Sequence, residues 1–271
     1  MSIITPLEIV YSADEPIVPV MESQLFAEHQ DRKFAVGAVA YGGVALPGMD
    51  SEYEGTFELR RRVYVDEMKF LNNEELDENG VERDIDDDRS VAFGVFENRG
   101  NGRVASIAFT RLIGKAIHQE LDMHDDRPLP IEKYYASEFQ EKPAPQGSVE
   151  VSRLISRHES APVQDMATWL LYGATLAHIK RNNLGPTFGI VETWLERRLG
   201  GLGVAKRIGD PVYVERYKTE NVPILIDTER FVVVANKRQP GIVDACEEMP
   251  DSMIFVGSTD TASAVNSKEV S

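Results

Sequence analysis

The sequence predicts an α/β (α+β) domain with a mixed, largely antiparallel central sheet flanked by helices. Three observations carry that prediction. Two apolar runs, Ser90–Glu97 and Arg103–Ile113, flank Asn98-Arg99-Gly100-Asn101-Gly102, where Asn and Gly tolerate the positive φ of a tight hairpin. A further strand-like stretch, Ser148–Ser156, is followed by an amphipathic helical pattern from Val163 to Asn182. Short extended and helical segments then alternate, an order that one sheet with a helix on each face accommodates.

A chain of 271 residues, 42% hydrophobic and 27% charged, can bury one sizeable core. Its net charge of −16, from 45 acidic and 29 basic side chains, argues against nucleic acid as the main partner. Local basic clusters (Arg60-Arg61-Arg62, Lys180-Arg181, Arg197-Arg198, Lys206-Arg207) could serve an anionic partner or be solvated helix faces. The single cysteine, Cys246, excludes an internal disulfide framework, and its acidic surroundings disfavour a reactive thiol. Met1–Met21 lacks the basic region of a secretory signal, and no apolar run approaches the ~18 residues of a membrane span. The expectation is a cytoplasmic protein with no membrane span.

Along the chain, residues 1–50 mix apolar runs with Gly and Pro and read as a partly extended N-terminal extension. A domain over 51–238 follows. Its first helix starts near Tyr53 and carries Phe57, Leu59, Val63, Tyr64 and Met68. An acidic loop spans Asn72–Asp88, then the hairpin, then a Pro-rich, partly helical excursion over 114–147. After the charged strand and the 163–182 helix, Pro186–Val191 reads as a strand. Thr193–Leu199 reads as a short helix stopped by Gly200-Gly201 and Gly203. Val212–Tyr217 and Arg230–Ala235 read as extended, and 239–271 as an acidic, mobile tail.

The charged strand is the most informative stretch. Glu150-Val151-Ser152-Arg153 places two formal charges among apolar and β-branched residues. Strict alternation puts Glu150 and Ser152 on one face, Val151 and Arg153 on the other. A buried carboxylate or guanidinium needs hydrogen-bonded counter-charges or a watered cleft. The plainer reading is a structural ion pair. Two upstream groups keep it company: Leu59-Arg60-Arg61-Arg62-Val63-Tyr64 with Phe70, and Gly80-Val81-Glu82-Arg83-Asp84-Ile85-Asp86-Asp87.

In order and spacing, these motifs resemble the acyl-homoserine-lactone (autoinducer) synthases of the GNAT-like N-acyltransferases. That family shows a Leu-Arg-x-x-x-Phe helix, a further aromatic, a Glu-x-Asp-x-x-Asp loop and a Glu-Ser-Ser-Arg strand. The chain also looks like the N-acyl amino acid synthases and exosortase-associated acyltransferases, through Val65–Leu71 and Arg111-Leu112-Ile113. The likeness runs from about Thr56 to Tyr217.

The resemblance implies a GNAT-like sheet and, as substrate-binding residues, Arg60, Tyr64, Phe70, Asp84, Asp87 and Arg153. Glu150, Arg111 and Ser152 are the implied catalytic residues; a slip of three residues would put Ala108 in place of Arg111. Tyr64 stands where the family has Phe, Phe70 where the autoinducer synthases have Trp, and Val151 where they have Ser. Phe keeps a hydrophobic wall but lacks the indole N–H.

Acyl transfer from a thioester to an amine requires removal of the amine proton, a task for a carboxylate acting directly or through one water. Glu150 is the candidate base, with Arg111 as the neighbour that tunes it. The resemblance implies, as oxyanion donors, backbone N–H groups exposed where the central strands part, as in the GNAT superfamily. Arg60, Asp84, Asp87 and Arg153 would close an acceptor pocket, or else only pin the acidic loop to the sheet. Trp169, Leu170, Ile190 and Trp194 are candidates for an apolar tunnel holding the acyl chain.

The expected donor is an acyl carrier protein or acyl-CoA, used as substrate, with no permanently bound cofactor and a small-molecule amine as acceptor. Arg157-His158-Glu159-Ser160-Ala161-Pro162 lacks the glycines that let backbone N–H groups approach a phosphate, which favours the carrier protein. Arg198-Leu199-Gly200-Gly201-Leu202-Gly203 fits a coenzyme A cradle by its letters but ends a helix rather than opening one. S-adenosylmethionine is the expected acceptor, with an amino acid as the alternative. A non-catalytic module that binds a lipid or carrier protein is a second alternative. The histidines show no metal-ligand spacing.

Overall fold

The two strands joined by the Asn–Gly hairpin pair with each other in the interior of the sheet. The computed structural model describes residues 20–118, 123–124, 126–215, 218–248 and 253–256. The chain opens with β1 (Val20–Glu22), β2 (Phe34–Tyr41), β3 (Val44–Ala45) and α1 (Asp50–Arg61). Next come the hairpin strands β4 (Ser90–Gly100) and β5 (Arg103–Gly114), then a separate ribbon of β6 (Ala116–His118) and β7 (Met123–His124). Two short helices follow, α2 (Pro130–Tyr134) and α3 (Ala136–Phe139), before β8 (Val149–Ser156) and α4 (Ala161–Arg181). The remainder is β9 (Thr187–Glu192), α5 (Thr193–Leu202), β10 (Ala205–Arg207), β11 (Val212–Val214), β12 (Thr219–Ile226), α6 (Thr228–Arg238), α7 (Ile242–Glu248) and β13 (Ile254–Val256).

Asn101 and Gly102 both take positive φ (55° and 74°), the geometry that matches strand twist in a two-residue loop. Among the described residues, the main sheet has eleven strands in the order β10-β12-β9-β8-β5-β4-β2-β13, with β1 on β5, β3 on β2 and β11 on β12. β8 and β9 run parallel, and the other pairings described are antiparallel. The mixed, largely antiparallel sheet read from the sequence is therefore present.

The helices sit on both faces. Arg60 of α1 lies over the Phe109 ring at 5.2 Å, so α1 covers the face carrying Phe109 and, two residues on, Arg111. His178 of α4 meets the Phe93 ring at 5.5 Å. Phe93 pairs with Thr110, whose side chain alternates away from Phe109 and Arg111, so α4 covers the opposite face.

Four expectations are corrected. Residues 34–41 are not part of an extension: β2 is buried along its length and pairs with β4 inside the sheet. Its small-residue run, Phe34-Ala-Val-Gly-Ala-Val-Ala-Tyr41, suits a strand covered on both faces, which shows no alternation. At the other end, Ile242, Val243, Ala245 and Cys246 of α7 are buried and β13 pairs with β2, so the tail reading fails for these residues. α7 docks where α4 has Gly173, at which a Cβ would stand 2.6 Å from Ile242 Cγ2. Residues 1–19, 249–252 and 257–271 of the two expected terminal segments lie outside the described residues.

The third correction concerns Arg230–Ala235, expected as a strand from its Val232-Val233-Val234 run. It lies within α6, because the Asp227 side chain accepts the Arg230 N–H as an N-cap and Phe231 and Ala235 bury one helical stripe. The strand in this region is β12, just before it. Gly200 and Gly201 lie inside α5; the left-handed Gly203 (φ 69°) closes that helix. Among the described residues, no helix is long and apolar enough to cross a membrane.

Candidate active site

The acidic loop, α1 and the hairpin meet above the α1 face of the sheet, where six charges close on each other. Arg60 Nε donates to Glu82 Oε2 at 2.6 Å, and its Nη1 to Asp87 Oδ1 at 2.7 Å. Arg111 Nη1 donates to Asp87 Oδ1 at 2.6 Å and to Asp84 Oδ1 at 2.7 Å. Arg153 Nη2 donates to Asp84 Oδ2 and to Glu82 Oε1, both at 2.8 Å. Each carboxylate thus bridges two guanidiniums and each guanidinium two carboxylates, in a closed ring of zero net charge. Arg60, Glu82, Asp87, Arg111 and Arg153 are buried.

Burial alone would raise the three carboxyls, but the arginines override it. Asp84 is held far below the ordinary carboxylate range by Arg111 and then Arg153. Glu82 is lowered by Arg60 and Arg153, and Asp87 by Arg60 and Arg111. Burial also works against the charge on Arg60 and Arg111, and their carboxylate partners reverse that.

Local backbone irregularities aim these side chains. β5 and β8 lose register between Phe109 and Arg111: Arg111 faces Ser152 and Phe109 faces Ile155, which leaves one extra residue on β8. At this bulge Arg153 is left-handed, φ 57°. Its guanidinium therefore joins the ring on the Arg111 side, whereas strict alternation assigns Arg153 to the face opposite Glu150. After α1 the helix widens into a π-helical segment at Arg62–Glu67, where Met68 N–H reaches back to the Val63 carbonyl. The Phe70 and Leu71 amides both return to the Tyr64 carbonyl, and the Tyr64 and Phe70 rings stack at 6.2 Å. Arg153 lies over Tyr64 at 5.4 Å.

Glu150 stands apart from the ring. Its register partners are Ile113 and Phe188, which belong to a second apolar cluster with Leu129, Ile131 and Tyr135. Arg111 was expected as its partner, but the Arg111 guanidinium bonds to Asp84 and Asp87. Glu150 Oε2 instead accepts the Ile131 N–H of α2 at 2.7 Å. Burial pushes its carboxyl up to about 8; the Ile131 N–H, Arg111 and Arg89 pull the other way. β8 pairs with β9 only from Val149 to Val151, opposite Thr187–Gly189, after which the two strands part. Glu150 sits at the root of that gap and the Arg153 bulge at its side.

Ser152 lies opposite Arg111, and its carbonyl accepts the Thr110 hydroxyl at 3.0 Å. The four expected acyl-tunnel residues are not together. Trp169 and Leu170 are buried in α4, on the opposite sheet face, where Trp169 packs against Tyr172 and Phe231. Ile190 is half-buried on β9, two residues beyond Phe188 and so on the Glu150 face. Trp194 is 57% exposed at the start of α5. Helical periodicity marked Trp169 and Leu170 as apolar, which a helix core explains fully. Glu82 was not singled out, although it begins the Glu-x-Asp-x-x-Asp pattern, the signal that could have found it. A groove of about 730 Å³ beside α2 and α3 is lined by Lys115, Pro128, Glu132 and Phe139 among others, and by no member of the ring.

Among the described residues, a mixed sheet whose parallel pair parts beside a bulged strand, with helices on both faces, is a GNAT-like fold. Solved structures share it. The chain is similar to a CoA-dependent acyl-homoserine lactone synthase, BjaI, solved with MTA: 18% identity over 76% of this chain and 89% of that one, TM-score 0.55. It is also similar to another such synthase, MesI (17% identity, 70% and 88% covered, TM-score 0.50). The N-acyl amino acid synthase FeeM, from uncultured soil microbes, matches at 12% identity (73% and 93% covered, TM-score 0.47). At these identities the likeness to the two lactone synthases establishes the fold alone. No protein-family model matches the sequence, and no curated protein matches it significantly.

Proposed function

We propose that this chain is an N-acyltransferase that moves a fatty acyl group from a thioester, acyl carrier protein or acyl-CoA, to the amine of a small acceptor. The observation that carries the reading is Glu150: a buried carboxyl outside the charge ring, raised to about 8, at the root of the gap between β8 and β9. A group that titrates there accepts a proton near neutral pH far better than an ordinary carboxylate.

In the proposed reaction the acceptor nitrogen attacks the thioester carbonyl while Glu150, directly or through one water, takes its proton. The C–N bond forms and the carbonyl oxygen becomes an oxyanion, held by backbone N–H groups of β8 beyond Val151. Collapse breaks the C–S bond, and the departing thiolate receives the proton. The ring fixes the acidic loop and the Tyr64–Phe70 wall around the acceptor. Ile190 and Ser152 border the same gap.

S-adenosylmethionine is the acceptor we infer, from the family motifs that Arg60, Asp84, Asp87, Glu150 and Arg153 match. An amino acid is the second reading, favoured by Phe70 in place of the synthases' Trp. Purified protein is to be offered long-chain acyl thioesters with a panel of amine acceptors and the products read by mass spectrometry. Acyl-amide formation that falls about 10²–10⁴-fold in Glu150→Gln is the expected result. Intact thioesters across the panel, with carrier binding retained, would establish a non-catalytic binding module instead. Lactone or free-acid head groups separate the two acceptors.

A further inference from the structure

Arg89 is buried, carries none of the family motifs and takes no part in the charge ring, yet it holds the segment that covers Glu150. It ends the turn Asp87–Arg89 whose first residue, Asp87, belongs to the ring. Its Nε donates to Asp86 Oδ1 at 2.8 Å, which fixes the guanidinium plane. Its Nη1 and Nη2 then donate to the carbonyls of Arg127 and Pro128, each at 2.9 Å. Three residues on from Pro128, the Ile131 N–H meets Glu150 Oε2. Leu129 is locked in between, its N–H bonded to Glu132 Oε2 at 2.7 Å. A continuous chain of short bonds therefore runs from Asp86 through Arg89 and the backbone of 127–131 to the Glu150 carboxyl.

We propose that Arg89 is a positioning residue for Glu150: by gripping two consecutive carbonyls it seats α2 on that carboxyl and keeps water from it. A guanidinium suits this task because its planar fork serves Asp86 and both carbonyls at once, which an ammonium cannot do in one plane. The role presupposes that Glu150 is the proton acceptor of the proposed reaction. The charged groups around Glu150 are Arg111, Asp86 and Arg89 itself. Loss of the Arg89 charge, or of the Ile131 N–H bond without entry of water, would raise the Glu150 carboxyl, whereas water admitted by an unseated α2 relieves burial, the largest influence on it, and lowers it. A fall of the midpoint therefore identifies water admitted to the carboxyl.

Two readouts need no turnover: the ¹³C titration of the Glu150 carboxyl, assigned by its loss in Glu150→Gln, and hydrogen exchange at the Ile131 amide. Arg89→Lys keeps the charge and is the main variant; Arg89→Ala is the stronger one. In Arg89→Lys, the Ile131 amide is expected to exchange about tenfold faster or more, as loss of a charge-assisted hydrogen bond implies. The Glu150 midpoint is expected to fall by about one unit, while amides of β4 and α4 keep their protection. If the variants turn over, kcat falls, its acid limb moves with the Glu150 midpoint, and the donor KM is unchanged. An unchanged or raised Glu150 midpoint with unchanged Ile131 exchange in folded Arg89→Lys overturns the proposal. If wild-type protein acylates nothing while both readouts move as expected, α2 seating by Arg89 stands and the catalytic reading of Glu150 falls.

Discussion

Arg153 reaches Asp84, 2.8 Å away and 69 residues earlier in the chain, from a backbone turned into the left-handed region. A non-glycine residue in that conformation costs about 1 kcal/mol or more, and here it is held there by two carboxylates at once.

That relationship separates two variants that a contact list treats alike. Arg153→Ala and Arg153→Gly both leave Glu82 and Asp84 one partner short, a loss of about 3–5 kcal/mol for a buried pair. Only glycine relieves the backbone. Chemical denaturation should find Arg153→Gly less destabilised than Arg153→Ala by about 1 kcal/mol.

Neighbours in the ring should be strongly non-additive. Glu82→Gln leaves Arg60 and Arg153 in excess of their carboxylates, and Arg153→Met leaves Glu82 and Asp84 in excess. Together they restore neutrality. The double variant is expected to be more stable than the sum of the singles predicts, by about 0.5–3 kcal/mol in a denaturant double-mutant cycle.

Stability and activity should respond oppositely to pH through Glu150. The unfolded chain releases that proton near 4.5, the folded chain near 8. Between these values the folded state binds more protons, so this group's stabilisation is full below about 4.5 and declines as pH rises through 8. Melting curves should show Glu150→Gln gaining on the wild type from pH 5 to 9. Acyl transfer, which needs the carboxylate, should rise through about pH 8 in the wild type. The ring carboxylates act in the other sense: their stabilisation is present above the ordinary carboxylate range and is lost as pH falls below it.

Gly173→Ala tests the docking of α7. The new Cβ would stand 2.6 Å from Ile242 Cγ2, an overlap that costs about 1–3 kcal/mol where neither helix can shift. Thermal denaturation should show that loss, and Ile242→Ala in the same chain should recover part of it. An unchanged melting temperature would mean that α7 is not held against α4.

The fold and most of the ring were legible in the sequence, each for a stated reason. The Asn–Gly turn, the 161–181 helix and the charged strand carry strong local signals. β2 and α6 do not. An Ala–Gly–Val strand covered on both faces resembles irregular sequence, and three consecutive valines in α6 outweighed a single Asp cap. Alternation assigned Arg153 to the wrong face because one extra residue in β8 is invisible without its partner strand. The pairing of Arg111 with Asp84 and Asp87, rather than with Glu150, depends on how the acidic loop folds over β5, a long-range contact that spacing alone does not specify.

The gap beside Glu150 has a mechanical consequence. β8 and β9 share three residue pairs, against six between β9 and β12 and ten between β4 and β5. The sheet is thus two leaves joined along a narrow seam, and the gap opens directly from the end of that seam. A molecule wedged there spans both leaves and stiffens the whole molecule instead of ordering one loop. Occupancy should therefore register far from the cleft, as slower amide exchange in strands that the ligand never touches.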